Sequence, residues 1–293
     1  MRKEAEIKNF GLQRGANLVG IASAEMIDSF PPPGHRTTDI LKGAKSVIVL
    51  AGHMAPAGAY LSPSQRTVPA NRLFPRTSIG VSIAVAKHIE DKYGYASIGE
   101  IPPPVGFHPS LSQKLCAEMA GLGTRSLAGS IILNPEIGLI SVSTCLTTMP
   151  LEPDGPMTTP VCPHPICLET WQSEGTVPCL KTCPECLSGE IEGGKIKNMR
   201  FDRRICTTRA QTTAHGSFLR TLEACLNEDD QAVRKSMLLG SFTQGIVSAI
   251  SYGAVIGQCG ECLRFCPVCI ETQNLKENII DPEQHFGEVK TNA

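Results

Sequence analysis

Apolar residues in the first 150 positions alternate between helical spacing and short continuous runs. Helical spacing extends over residues 2–16, about 76–93 and about 110–120, and the second of these segments stops at Gly94. Short runs rich in branched residues cover 16–22, 46–51, 130–133 and 138–144. The last two runs flank Asn134-Pro135, which predicts a turn between paired strands. This half therefore predicts a mixed helix and strand layer.

Beyond Pro150 the pattern changes. Prolines and cysteines crowd residues 150–186, as expected of a module held by ligands rather than by a large core. Helices are predicted over about 209–226 and from the Asp229/Asp230 cap. Residues 236–260 lack charge and are long enough for a membrane span, but the polar residues Ser241, Thr243 and Gln244 favour buried helices instead.

Composition narrows the function classes. A chain of 293 residues with 41% hydrophobic residues can bury a core and form one large or two medium domains. Lys and Arg number 27 against 28 Asp and Glu, and aromatic residues make up 5%, so binding to nucleic acid is not expected. Thirteen cysteines without an N-terminal secretory pattern favour a reducing cytoplasm over a disulfide scaffold.

Two copies of a Cys-x3-Cys-Pro-x-Cys phrase carry the main chemical signal. One is Cys262 to Cys269, preceded by Cys259, and the other is Cys179 to Cys186. Thiolates are the usual ligands of iron–sulfur clusters, and in two-cluster ferredoxins the cysteine before proline binds the cluster opposite to that of its own run. The pattern therefore predicts two [4Fe–4S] clusters and a redox function. Structural zinc, which also uses paired cysteines, is the competing interpretation.

A specific assignment follows when each cysteine that precedes a proline is assigned to the cluster of the other cysteine run. Cluster one takes Cys162, Cys167, Cys179 and Cys266, and cluster two takes Cys183, Cys206, Cys259 and Cys262. Cys186 and Cys269 remain as extra candidates, either as replacement ligands or as small buried thiols near a cluster. Cys116, Cys145 and Cys225 stand alone in apolar contexts and are interpreted as core residues.

A series of short phrases resembles epoxyqueuosine reductase and, more distantly, the reductive dehalogenases. The phrases lie at 15–22, 44–50, 120–123 (Ala-Gly-Leu-Gly), 132–135 and 146–154, followed by the cysteines that end in Cys-Pro. Cys206 matches a lone cysteine that this family places between its two runs. The resemblance covers most of residues 10–270 in the same order.

The resemblance implies an α+β protein of two domains. Residues 1–155 would form a nitroreductase-like α/β domain that binds cobalamin, and residues 156–293 a ferredoxin-like domain with both clusters. The corrinoid face would be lined by Gly121, Leu122, Gly123, Ser130 and Asn134. Glycines permit close approach of backbone to a planar ligand, although a plain tight turn explains them as well. FMN is the less favoured cofactor of such a domain.

The chain departs from the family at the acid that donates a proton. The family has an acidic residue about fourteen positions before Gly-Leu-Gly, where this chain has Phe107 beside His108. The Trp and Gly-Lys that follow in the family are replaced by the sequence 124–127, Thr-Arg-Ser-Leu. His108 is a weak catalytic candidate because histidine titrates near neutral pH, but a loop histidine before Pro109 is more often simply solvated. His164, between Cys162 and Cys167, could reach a cluster edge or a cofactor, but it is interpreted as a loop residue.

Two functional hypotheses follow, both cytoplasmic, anaerobic and free of a membrane segment. In the first, the clusters pass electrons to a bound corrinoid that reduces a small substrate. In the second, the chain is an electron-transfer protein that reduces the corrinoid of a partner protein. A ferredoxin or flavodoxin is the expected electron donor. No P-loop or dinucleotide-binding phrase supports nucleotide chemistry. A zinc-stabilised binding module is the third alternative.

Overall fold

The structure is a computed structural model that describes residues 2–53, 73–99, 111–202, 205, 222–240, 243 and 266–271. Its helices are α1 Lys3–Gln13, α2 Ala24–Asp28, α3 Thr37–Ile40, α4 Leu73–Tyr93, α5 Gln113–Met119, α6 Pro165–Glu174, α7 Pro178–Thr182, α8 Gln231–Leu239 and α9 Pro267–Glu271. Its strands are β1 Leu18–Ser23, β2 Ser46–His53, β3 Ser97–Gly99, β4 Thr124–Arg125, β5 Ile132–Asn134, β6 Gly138–Thr147, β7 Leu187–Glu192 and β8 Lys195–Phe201. The mixed helix and strand prediction for the first half is confirmed.

An antiparallel sheet of six strands forms the centre of the first half. The strands lie in the order β1-β2-β6-β5-β4, and β3 pairs with β6 at its far end. Nearly all of β2 is buried because helices cover both faces of this strand, which explains its continuous apolar run. Ile48 and Leu50 pack with α1 and α4, whereas Val47 and Val49 pack with α5. The alternation of side chains along β2 thus separates two cores.

β1 is covered by two segments from later in the chain, one on its face and one at its free edge. On the face, Gly20 lies against the backbone of Ala120, where a Cβ would contact the Ala120 carbonyl. Asp154 brackets Ile21, because its carboxylate accepts from the Ile21 N–H at 2.7 Å and its own N–H donates to the Ile21 carbonyl at 2.9 Å. The Asp154 carboxylate also pairs with Lys8 on α1. The two hydrogen bonds with Asp154 satisfy the backbone N–H and C=O groups of Ile21 at a strand edge that would otherwise be open.

A third core joins the cysteine-rich region to the sheet. Leu127, Leu133 and Leu139, from the β4–β6 region, pack with apolar side chains and thiols between positions 161 and 269. The β7–β8 hairpin contacts the same place, because Phe201 lies against Gly129 and beneath the Lys114 ammonium. A domain division at 155 stays a prediction, as do the nitroreductase-like and ferredoxin-like descriptions of the two parts.

Two helices predicted for the second half have different outcomes. The Asp230 cap is confirmed, since its carboxylate accepts from the N–H groups of Ala232 and Val233 at the start of α8. Residues 222–226, the end of the helix predicted over 209–226, are described and are helical, whereas 209–221 and most of the uncharged stretch 236–260 lie outside the described residues. Among the helices in the described part of the chain, none is long and apolar enough to cross a membrane.

Candidate metal centre

Four cysteines line one apolar cavity. They are Cys162, Cys167, Cys179 and Cys266, the set that the sequence pattern assigns to cluster one. The remaining walls come from 126–128, Val177 and the Pro267-Val268 start of α9. That these thiols bind a cluster stays a prediction, but the structure brings the four of them to one place.

Local structure explains how distant cysteines reach this cavity. Cys167 lies in the first turn of α6, which begins at Pro165, and Cys179 lies in the first turn of α7, which begins at Pro178. Cys266 immediately precedes α9, which also begins with proline. Proline suits the first position of a helix because its missing N–H has no intrahelical partner there. Each proline thus starts a helix within two residues of a candidate sulfur ligand.

The cavity favours neutral thiols in the absence of a cation. Burial raises the pKa of Cys167 to about 12, with the neighbouring thiols of Cys266 and Cys162 adding to the shift. Burial likewise raises the pKa of Cys162 to about 11 and raises that of Cys179. Thiolate is the form that binds metal. Positively charged iron would supply the compensation that these buried sulfurs need to ionise.

Cys266 differs from the other three sulfurs. A hydrogen bond from the Cys269 thiol and others from the backbone N–H groups of Cys269 and Val268 hold the pKa of Cys266 below its usual value, against the effect of burial. Cys269, one of the two extra candidates, therefore contacts a proposed ligand directly. Cys186, the other extra candidate, donates its thiol to the Cys183 carbonyl at 3.8 Å and is also buried.

Only part of the second cysteine set is described. Cys183 is buried in the same core as the four cavity cysteines. Cys206, Cys259 and Cys262 lie outside the described residues, so the assignment of cluster two stays a prediction. Within the part of the chain that the structure covers, no three His, Cys, Asp or Glu side chains are arranged to hold a single metal ion.

The residues predicted to face a corrinoid make contacts within the protein. A Cβ on Gly121 would lie 2.6 Å from the Gly155 carbonyl oxygen, and a Cβ on Gly123 would contact the Leu133 carbonyl. Asn134 donates to the Leu122 carbonyl at 3.0 Å, and Ser130 accepts from the Arg125 guanidinium at 2.9 Å. The two glycines are therefore explained by backbone packing, as the tight-turn alternative expected. A corrinoid at these five residues stays a prediction.

Two buried hydroxyls lie on β6. Ser143 and Thr144 are buried, and neither side-chain oxygen has a hydrogen-bond partner among the described residues. Successive strand residues point to opposite faces of a sheet, so these hydroxyls do not mark one ligand surface. Phe107 and His108, on which the catalytic prediction depends, lie outside the described residues.

His164 is a loop residue, as expected, and it is the extended N-cap of α6. It also lines the cysteine cavity, in keeping with the alternative that it lies near a cluster. Its Nε2 contacts Oε2 of Glu271 on α9 at 2.9 Å. No sequence signal pointed to Glu271, because the two residues are 107 positions apart.

Comparison with known proteins identifies the fold. No family model and no curated protein sequence matches the chain. An epoxyqueuosine reductase from Streptococcus thermophilus superposes with a TM-score of 0.55 and 16% identity over 97% of this chain and 70% of that one.

An epoxyqueuosine reductase solved with an epoxyqueuosine-modified tRNA-Tyr stem loop gives a TM-score of 0.53 and 17% identity, over 96% of this chain and 69% of that one. A reductive dehalogenase described as B12-dependent gives a TM-score of 0.47 and 18% identity, over 88% of this chain and 36% of that one. This TM-score is too low to support a conclusion about this chain. At such identities similarity establishes architecture but not activity. The chain has the fold of the epoxyqueuosine reductases.

Proposed function

We propose that the protein is an iron–sulfur oxidoreductase that carries two [4Fe–4S] clusters and transfers single electrons through them. The observation that carries the proposal is the cavity in which Cys162, Cys167, Cys179 and Cys266 meet. Three of these residues are close in sequence, whereas the fourth precedes a proline far along the chain. This crossed arrangement is the one expected of a protein with two linked clusters.

The chemistry of the cavity fits a cluster. Four sulfur donors match the four thiolates that a [4Fe–4S] cluster takes, and the cluster supplies a one-electron redox centre when bound. Apolar side chains such as Leu127, Val177 and Val268 surround the donors. Their role is to exclude water from the sulfurs, which affects the reduction potential.

The electron acceptor is proposed to be a corrinoid, on the basis of the sequence resemblance and the shared fold. Close approach to backbone within the protein already accounts for Gly121 and Gly123, so these glycines give no independent support to a corrinoid in this chain. The proposal therefore has two forms. In one the chain binds cobalamin itself, and in the other it reduces the corrinoid of a partner protein.

Metal analysis of anaerobically purified protein tests the central claim. Iron and acid-labile sulfide should each approach about eight per chain, the content of two cubane clusters. Cys167→Ser should remove about half of the iron, whereas Cys116→Ala, which changes a thiol in a separate core, should leave the content unchanged. Stoichiometric zinc with little iron in the wild-type protein would contradict the proposal.

Cobalamin binding separates the two forms. Retention of cobalamin in equilibrium dialysis, with a spectral shift to the base-off form, supports a corrinoid in this chain. Retention of FMN would indicate that the first domain binds flavin. If neither is retained, electron transfer to an added corrinoid protein, driven by reduced ferredoxin or flavodoxin, is the expected activity.

The substrate of the structural neighbours provides a further test. One neighbour is solved with an epoxyqueuosine-modified tRNA stem loop. We propose that this chain does not reduce such tRNA, because Phe107 occupies the position where the family has its acidic proton donor. Turnover of epoxyqueuosine tRNA by the unmodified protein would overturn this part and implicate His108 or another acid.

A further inference from the structure

A polar side-chain contact joins the two segments that supply the cavity cysteines. His164 belongs to the segment with Cys162 and Cys167, and Glu271 belongs to the segment with Cys266. Nε2 of His164 and Oε2 of Glu271 are 2.9 Å apart. The His164 side chain is 17% exposed and that of Glu271 is 56% exposed, so the contact lies at the rim of the cavity.

Both ring nitrogens of His164 are used. Nδ1 accepts from the Ile166 N–H at 3.3 Å, which is the cap of α6. A nitrogen that accepts a hydrogen bond carries no proton, so in the neutral ring the proton resides on Nε2. Nε2–H then donates to the Glu271 carboxylate. The capping bond thus favours the tautomer whose Nε2–H can donate across to Glu271 on α9.

We propose that His164 and Glu271 form a clasp that positions Cys266 against Cys162 and Cys167. The inference rests on the proposed function, since it concerns how the first cluster is held. Helix α9 has only five described residues and begins directly after Cys266. Fixing its far end at Glu271 restricts the motion of Cys266, and a restricted ligand loses less conformational entropy when it binds. His164 and Glu271 are positioning residues that act through the cysteines.

Two variants separate the clasp from ordinary helix capping. His164→Asn keeps a residue that is favoured at a helix N-cap but is too short to reach Glu271. Glu271→Ala removes the partner and leaves the cap intact. Glu271→Gln keeps an acceptor for Nε2–H, so it should retain most of the effect.

The measurement is the rate of iron release to a chelator under anaerobic conditions. His164→Asn and Glu271→Ala should each speed the release of one half of the iron by about fivefold, the factor expected for a hydrogen bond of ordinary strength. The double variant should be no faster than either single variant, because both remove the same interaction. EPR of the reduced protein should show that only one cluster is affected.

Glu174→Ala is the matched control. Glu174 pairs with Lys181 in the same region, but both lie on the 165–182 segment and neither reaches α9. Its release rate should equal that of the wild type. Unchanged release in both clasp variants, or rates that multiply in the double variant, would refute the clasp while leaving the iron content intact.

Failure of the proposed function gives a different result. Wild-type protein without iron would contradict the cluster proposal before any variant is compared. The clasp is then judged in the metal-free chain by the alkylation rate of Cys266, which should rise in Glu271→Ala and stay constant in Glu174→Ala. An unchanged rate would sink the clasp as well.

Discussion

At the scale of single residues, burial determines what each cysteine can do. Cys116 and Cys145 are fully buried on opposite sides of the sheet, and Cys225 is also buried, as the sequence analysis expected of core residues. Burial raises the pKa of Cys116 to about 12, and it raises the pKa of Cys145 further still. These thiols are packing groups and not nucleophiles.

The raised pKa of Cys116 predicts a pH-dependent contribution to stability. The neutral thiol is favoured in the folded state, so the contribution is fully present below the unfolded value of 9.0 and is lost as the pH rises towards about 12. Cys116→Ala should therefore be less stable than the wild type at pH 8, and the gap should narrow between pH 9 and 10. Urea unfolding at each pH measures this gap, and a constant gap would contradict the assignment.

At the scale of secondary-structure elements, the turn after α5 is defined by its close approach to other backbone. Gly123 has no room for a Cβ because the Leu133 carbonyl lies in that direction. Gly123→Ala should destabilise the protein by about 2 kcal/mol or more, since backbone atoms of β5 must move. If Gly123→Ala lowers stability but leaves cobalamin retention in equilibrium dialysis unchanged, this glycine is a packing residue.

Gly80 on α4 provides the control for that substitution. A Cβ there meets no atom of the described residues within 4 Å, apart from the backbone of its own helix. Gly80→Ala should stabilise the protein by up to about 1 kcal/mol, because alanine is the better helix former. Urea unfolding compares the two variants, and equal effects at both positions would mean that glycine content, rather than packing against β5, sets the outcome.

Asp154 should be more important for β1 than an ordinary surface carboxylate. It accepts from the Ile21 N–H and pairs with Lys8. Asp154→Ala should cost about 1–2 kcal/mol, since a part-buried donor loses its partner. Asp91→Ala, which breaks an exposed pair with Lys87 on α4, should have no measurable effect. Thermal unfolding distinguishes the two, and equal losses would show that the Ile21 contact contributes little.

The sequence predicted the elements whose signal is local. β2 is buried on both faces, so its apolar run was readable, and the Asp230 cap was recognisable by residue type. The gathering of Cys162, Cys167, Cys179 and Cys266 followed from a spacing rule. The β7–β8 hairpin was missed because its strands are mainly exposed and polar. The contact of His164 with Glu271 joins positions too distant for any periodic pattern to link.

At the scale of the whole molecule, the cysteine cavity and the sheet share one core. Leu133 and Leu139 pack with Cys167, Cys179 and Cys266 in the third core. The core that Ile48 and Leu50 of β2 form with α1 and α4 contains none of these residues. A structural change at the cavity should therefore affect β5 and the start of β6 more than the core around β2.

Removal of iron should reveal this asymmetry. Amide hydrogen exchange should accelerate in β5 and at the start of β6, because these strands lose the support of the cavity walls, while α1 and α4 keep their protection. Mass spectrometry of anaerobic protein before and after chelation measures it. Equal acceleration in both places would indicate global unfolding and contradict the shared-core interpretation.

The position of Cys266 also has a consequence for biosynthesis. Cys162, Cys167 and Cys179 leave the ribosome well before Cys266, yet all four line the same cavity. A cluster delivered to the nascent chain would find three sulfurs and one unfilled coordination site, which is open to oxygen and to exchange. If the first cluster is bound as proposed, its complete ligation would therefore require a chain whose synthesis has passed Cys266, and translation would set the earliest moment at which all four sulfurs can act.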